Sequence, residues 1–295
     1  MPVAVVDVGS NTVRLLVTTS SGRELLSLRE TLRLGESVEQ HGAIPPDRLA
    51  LVAECAARYA GAARALGADA IDVLVTSPGR QAANGAELAS ALERATRAPV
   101  RIVSAEEEGR LAFVGALASA DVGSRKLVAV VDVGGGSAQT AVGSRRGGAT
   151  WVRSIDLGSM RLTTRLLPAD PPGPAAMMRA RSEVERRLDG FAPPPAELAF
   201  AVGGSARALR RLCGSRLGAD ELAAATDLLG RTSQAQLSAQ HGISAPRTST
   251  LAAGAVILTA LQERIGLPLR ISRTGLRTGA LLELAAGTSA AADAA

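Results

Sequence analysis

Apolar residues run through VAVVDV at 3–8, interrupted by Asp7 alone, stop at a small polar turn, and resume in VRLLVTT at 13–19. That pattern predicts two buried strands joined as a hairpin. LSLRETLRL (26–34) alternates apolar and polar positions and predicts a third strand. PPDRLALVAECAARYAGAARALG (45–67) has helical spacing, with proline at its start and glycine at its end. A strand at 71–77, a helix at 86–96 and a strand at 100–104 follow, and a helix opens in AEEEGRLAFVGALAS (105–119).

The pattern restarts near GSRK (123–126). VAVVDVG, already present at 3–9, recurs at 128–134, and again a second strand follows the turn. ATWVRSIDLG (149–158) predicts a further strand, LPADPPGP (167–174) a rigid surface turn, and MMRARSEVERRLDGF (177–191) an amphipathic helix. PPPAELAFAVGG (193–204) predicts a strand entering the helix SARALRRLCG. Helices are expected at 218–230, 233–241, 251–266 and within 275–286, with a strand at 269–273. The repeat of one strand and turn at the head of two similar patterns indicates duplication: two related α/β lobes with a cleft between them. Their expected bounds are 1–120, with the last helix packing back on that lobe, and 121–274. The closing GTSAAADAA (287–295) has little to bury and is expected to be disordered.

Composition narrows the chemistry. Of 295 residues, 46% are hydrophobic and 21% charged, enough for a sizeable core. No apolar run approaches the roughly 18 residues of a membrane span, and no leader pattern precedes the first strand, so a cytoplasmic protein is expected. Cys55 and Cys213 lack metal or redox spacing, as in a reducing compartment. The net charge of +5 is carried by arginine, with Lys126 the sole lysine. Guanidinium forks match phosphate oxygens in pairs, although codon bias explains arginine equally well. Five aromatic residues in all give little for stacking nucleobases, so phosphate is favoured over nucleic acid.

In DVGSN (7–11) and DVGGGS (132–137) an aspartate ends an apolar strand and glycine opens the turn. Glycine lets a ligand approach backbone N–H groups closely. Ser10, Asn11 and Thr12 add side-chain donors to the first turn, Ser137 adds one beside Gly134, Gly135 and Gly136 in the second, and Asp7 and Asp132 are placed to hold a divalent cation. One such turn is an ordinary hairpin; two facing each other would clamp a phosphate chain. His41 and His241 stand in no catalytic or metal spacing.

The paired turns resemble the phosphate loops of the actin, sugar-kinase and chaperone-ATPase superfamily. Within it, VDVGSNTVRLLV, VTSPGRQAANG (75–85), IVSAEEEGRLAF (102–113) and VVDVGGGSAQ (130–139) resemble the exopolyphosphatase/guanosine pentaphosphate phosphohydrolase (Ppx/GppA) family, as does the late AAGAVILTAL…ISRTGLRTGALLEL. The resemblance implies two actin-like (ribonuclease H-like) lobes, each a mixed sheet flanked by helices, with an interdomain cleft. It implies hydrolysis of a terminal phosphate from polyphosphate or guanosine pentaphosphate, assisted by Mg²⁺ or another hard cation such as Mn²⁺. A homodimer is left open, and neither nucleic acid nor membrane is implied as a partner.

By the same resemblance the general base falls on Glu108 and the phosphate-gripping arginine on Arg80. Asp7 and Asp132 would hold the cation, and Ser10, Asn11, Thr12 and the 134–137 turn would cradle phosphates. Gly158 and Arg161 fall at a further glycine turn near the cleft. Read without the family, Ser104 and Glu107 make a capping box at a helix start, which accounts for Glu106 and Glu107. AVGGSARAL (201–209) resembles the superfamily's third glycine turn, but an ordinary strand–helix junction reads the same. Two positions depart from the family pattern. Gln139 stands where a metal-site glutamate is usual, and Thr278 replaces an acid in GLRTG. They weaken metal ligation and favour, as the competing reading, a polyphosphate or guanosine-polyphosphate sensor with little turnover. The chain ends where longer relatives add helical domains, so short substrates are favoured.

Overall fold

The computed structural model describes residues 1–293, with side chains through Gly287. The chain forms two compact units: Met1–Glu108 together with the chain from Arg277 onward, and Gly109–Leu276. The chain passes between the units twice, each time inside a helix, at 108/109 and at 276/277.

The first unit begins with β1 (Val3–Val8), β2 (Thr12–Thr18) and β3 (Glu24–Thr31), an antiparallel meander. It continues through α1 (Leu34–His41), α2 (Pro46–Ala65), β4 (Ala70–Val75), α3 (Ser77–Gln81), α4 (Gly85–Thr96), β5 (Val100–Ile102) and the start of α5 (Ala105–Ala118). The sheet order is β3-β2-β1-β4-β5, with β4 and β5 parallel to β1 and to each other. β1 is apolar on both faces because it lies mid-sheet. Ala4, Val6 and Val8, on one of those faces, meet Val52, Ala56 and Leu88 in the core.

The second unit repeats the plan. β6 (Val128–Val133), β7 (Ala138–Ser144) and β8 (Gly148–Ile155) form the meander. They lead to α6 (Ser159–Leu166), α7 (Pro174–Arg187), β9 (Leu198–Val202), α8 (Gly203–Cys213), β10 (Arg216–Leu217), α9 (Ala219–Arg231), α10 (Gln234–His241), α11 (Ala245–Thr248), α12 (Leu251–Ile265) and β11 (Leu269–Ile271). The sheet order is β10-β11-β9-β6-β7-β8. One face is covered by Ala112, Phe113, Ala116 and Leu117 of α5. α12 is apolar nearly all round and lies within the main core, as a helix without a polar face must. α13 (Leu276–Asp293) closes the described chain.

Three expectations change. The strand expected over 26–34 ends at Thr31, because the N–H groups of Leu32 and Arg33 both donate to Asn11 O (3.1 Å each) and Arg33 turns left-handed (φ 52°) to open α1. The tail expected to be disordered at 287–295 continues α13 to Asp293, as its alanines favour; 294–295 lie outside the described residues. The capping box closes on one side only. Ser104 Oγ accepts from Glu107 N–H (3.0 Å), but the Glu107 carboxylate pairs with Arg101.

Candidate active site

Each unit carries one of the two expected phosphate turns on the same scaffold. In the first, β1 and β2 are joined by Gly9–Thr12, with Gly9 N–H donating to Thr12 O at 3.0 Å. In the second, Gly134 N–H donates to Ser137 O at the same 3.0 Å. Each turn is then fastened by the first N–H groups of a short helix. Gly35 of α1 donates to Ser10 O (2.8 Å), while Ser159 of α6 donates to Gly134 O and Met160 to Gly135 O (2.9 Å each). Turn carbonyls therefore meet the orphan donors of a helix start. The amide side of each turn is the side that a phosphate would meet.

In the first unit, Ser10 Oγ and Ser77 Oγ share a buried hydrogen bond of 2.5 Å, which ties the turn to the start of α3. Asn11 is half-buried, and Thr12 Oγ1 accepts from Arg14 Nε (3.2 Å). Asp7 is half-buried, and loss of hydration pushes its carboxyl above the ordinary 3.8, against the opposing pull of Arg14 and Arg277. Arg277, from α13, donates Nη1–H to Leu15 O (3.3 Å). The sequence reading missed both arginines. Arg14 was legible in principle, since hairpin register sets it opposite Asp7; Arg277 is brought in by the tertiary fold.

Glu108 is buried, Glu107 half-buried and Glu106 exposed, so one glutamate of the three faces inward. Arg80 Nη2 donates to Glu108 Oε2 at 2.7 Å and Nη1 to Val103 O at 2.6 Å. The two residues assigned separate roles from sequence thus form one ion pair, between a buried carboxylate and a half-buried guanidinium that fixes where it points.

In the second unit, Asp132 and Ser137 are buried, and Gln139 Nε2 donates to Ser137 Oγ (2.9 Å) and Ser154 Oγ (3.2 Å). Gln139 therefore positions a turn hydroxyl. Gly158 carries no side chain because a Cβ there would overlap the Gly135–Gly136 peptide. Arg161 forms an ion pair with Asp156 (2.7 Å) and donates to its carbonyl (3.2 Å). Gly203 adopts φ 88°, and a Cβ there would lie 2.5 Å from Asp132 Oδ1, so glycine keeps a cradle open at that carboxylate. Gly204 lies directly under the Arg247 guanidinium, a further arginine missed by sequence.

Among the described residues no three His, Cys, Asp or Glu side chains gather into a metal cluster. Each turn offers one carboxylate, Asp7 in the first unit and Asp132 in the second; a single carboxylate suits a hard cation that keeps most of its waters and does not make an all-protein cage. Also among the described residues, no helix is long and apolar enough to cross a membrane.

A duplicated strand–turn–strand with a parallel strand beside it and a helix fastened to the turn defines an actin-like α/β protein. The chain belongs to the Ppx/GppA phosphatase family, whose pattern matches residues 17–287. It is 30% identical over 303 residues to an uncharacterized protein of Streptomyces coelicolor, covering 96% of this chain and 90% of that one. It is 29% identical over 317 residues to Exopolyphosphatase 2 of Mycobacterium tuberculosis, covering 96% and 98%. The crystal structure of the Aquifex aeolicus family member superposes with a TM-score of 0.82 at 23% identity over 98% of both chains.

Proposed function

We propose that this family member is a phosphoanhydride hydrolase that releases terminal phosphate from short inorganic polyphosphate or guanosine pentaphosphate. The observation that carries this reading is the ion pair between Arg80 of α3 and the buried Glu108 at the start of α5. Glu108 accepts a proton from a water as its oxygen bonds to the terminal phosphorus. The bridging P–O bond breaks, giving phosphate and a shortened chain. Arg80 holds the carboxylate in line and brings positive charge to the incoming phosphate. The 9–12 and 134–137 turns receive phosphate oxygens through backbone and hydroxyl donors. Asp7 and Asp132 would hold Mg²⁺, which when bound offsets repulsion between the phosphates and an attacking water.

Phosphate release from short polyphosphate tests this directly. Glu108→Gln is expected to lower kcat on the order of 10²–10⁴-fold, and an unimpaired variant removes Glu108 from the role. A second reading, a sensor with little turnover, draws on Gln139, a buried amide that donates to two hydroxyls. Tight binding without phosphate release, unchanged in Gln139→Glu, would favour it.

A further inference from the structure

In the second unit a cavity of about 410 Å³ is walled by Arg207, Arg210, Arg211, Ile271, Ser272 and Arg273. Four of those six residues are arginines and none is acidic. Arg207, Arg210 and Arg211 are spaced i, i+3 and i+4, so they share one face of α8. Arg273 follows the end of β11.

The topology places this cavity beside the candidate phosphate turn. β6, β9 and β11 are parallel neighbours, with Asp132 level with Val202 and Ile271 level with Ala201. Ser272 N–H donates to Ala201 O (3.0 Å), so Asp132, Val202 and Ser272 form a row along the carboxyl edge of three strands. Two strand spacings put the near wall of the cavity about 10 Å from Asp132. α8 starts on the same row, its first residue Gly203 lying against the Asp132 carboxylate. In open α/β sheets that edge is where ligands bind.

Surface arginines are ordinarily solvated or paired. Arg58, Arg101, Arg181, Arg186, Arg187, Arg231 and Arg264 each face a carboxylate. Among the described residues no ion pair is formed by Arg210, Arg211 or Arg273, and all three are exposed. Like charges one turn apart destabilise a helix, an effect that a bound anion reverses. An inner phosphate of a linear chain offers two non-bridging oxygens, which suit the two parallel N–H groups of a guanidinium. No aromatic ring lines the cavity to stack a base.

We propose that this cavity is a second anion site, which takes the phosphates of a linear oligophosphate that lie beyond those held at the Asp132 turn. It rests on the polyphosphate reading above and sets the chain length the protein prefers. Among short chains the site favours those of several phosphates, long enough to span the row from Asp132 to Arg273, over tripolyphosphate.

The test measures calorimetric binding of tripolyphosphate, of a linear polyphosphate several times longer, and of guanosine pentaphosphate. The chain carries Glu108→Gln so that ligand persists, with and without Arg210→Gln, Arg211→Gln and Arg273→Gln combined. Long-chain affinity is expected to fall about 10- to 100-fold and its salt dependence to flatten, while tripolyphosphate binding is unchanged. In the parent enzyme the same triple change raises KM for the long chain and leaves kcat in place. Arg273→Gln alone gives a smaller loss of the same kind, which guards against a folding defect in the triple variant. The proposal is overturned by an unchanged long-chain affinity, by equal weakening of long and short ligands, by a loss confined to the guanosine compound, or by no long-chain binding in the parent. Absence of phosphate release from every chain defeats the hydrolase reading separately, because the binding measurements do not depend on turnover.

Discussion

Opposite Asp7 the hairpin register sets Arg14; opposite Asp132 it sets Gln139. The strands are identical and the turns close with the same bond, yet the two aspartates live in different surroundings. The first stands among Arg14 and Arg277, in a turn with a serine–serine tether. The second stands beside a glycine with positive φ, in a turn locked by a buried amide and by close backbone packing. Duplication of a strand does not duplicate its chemistry, because each side chain's environment comes from elements packed on it afterwards. The first turn is dominated by charge, the second by the absence of Cβ atoms.

Glycine substitution separates the two most sharply. Gly158→Ala is expected to cost about 1–3 kcal/mol through overpacking against the Gly135–Gly136 peptide, and activity should fall by tenfold or more. Gly9→Ala, where the nearest atom to a new Cβ is Thr12 O at 3.4 Å, should cost far less. Thermal melts and phosphate release on both variants check this, and equal losses would erase the contrast.

The aspartates should differ next. Asp7 has a carboxyl raised by burial. Such a group costs the fold nothing below its unfolded value near 3.8 and progressively more as pH rises from there through the folded value. Asp7→Asn is therefore expected to raise Tm at neutral pH, to lose that gain near pH 3, and to lower phosphate release at every pH. Melts across pH decide it; a lower Tm at neutral pH would show that Arg14 and Arg277 outweigh lost hydration.

Exchange of the residues opposite the aspartates should give a smaller effect. Gln139→Glu removes the donor to Ser137 and Ser154 and buries a charge, at a cost of about 1–3 kcal/mol. Mg²⁺ is expected to restore more stability to this variant than to the parent, as read by Tm with and without the ion. The smallest change is expected for Arg161→Ala. Its partner Asp156 is largely exposed, so stability should move by about 0–1 kcal/mol, and a marked rise in KM would show that Arg161 reaches the substrate.

Most long elements were legible as hydrophobic period, and so was the duplication, from seven repeated residues. The elements not anticipated include α1 and α6, the same helix in each unit. Both are short and lie directly after a strand, and both exist because their first N–H groups bond turn carbonyls far away in sequence. A helix of eight residues is marginal by itself, so its local sequence carries little signal. The same holds for the site. Glu108 and Arg80 stood out through the family resemblance, but their union at 2.7 Å did not.

By itself the amino-acid order determined the two aspartate turns, the inward glutamate and the apolar strands beneath them, because those depend on neighbours a few residues apart. Only the tertiary structure decided that Arg277 attends Asp7, that Gln139 holds Ser137, and that four arginines from α8 and the end of β11 wall one cavity. Each of these joins residues from separate elements, and such meetings are set by how the sheets and helices pack rather than by any local preference of the chain.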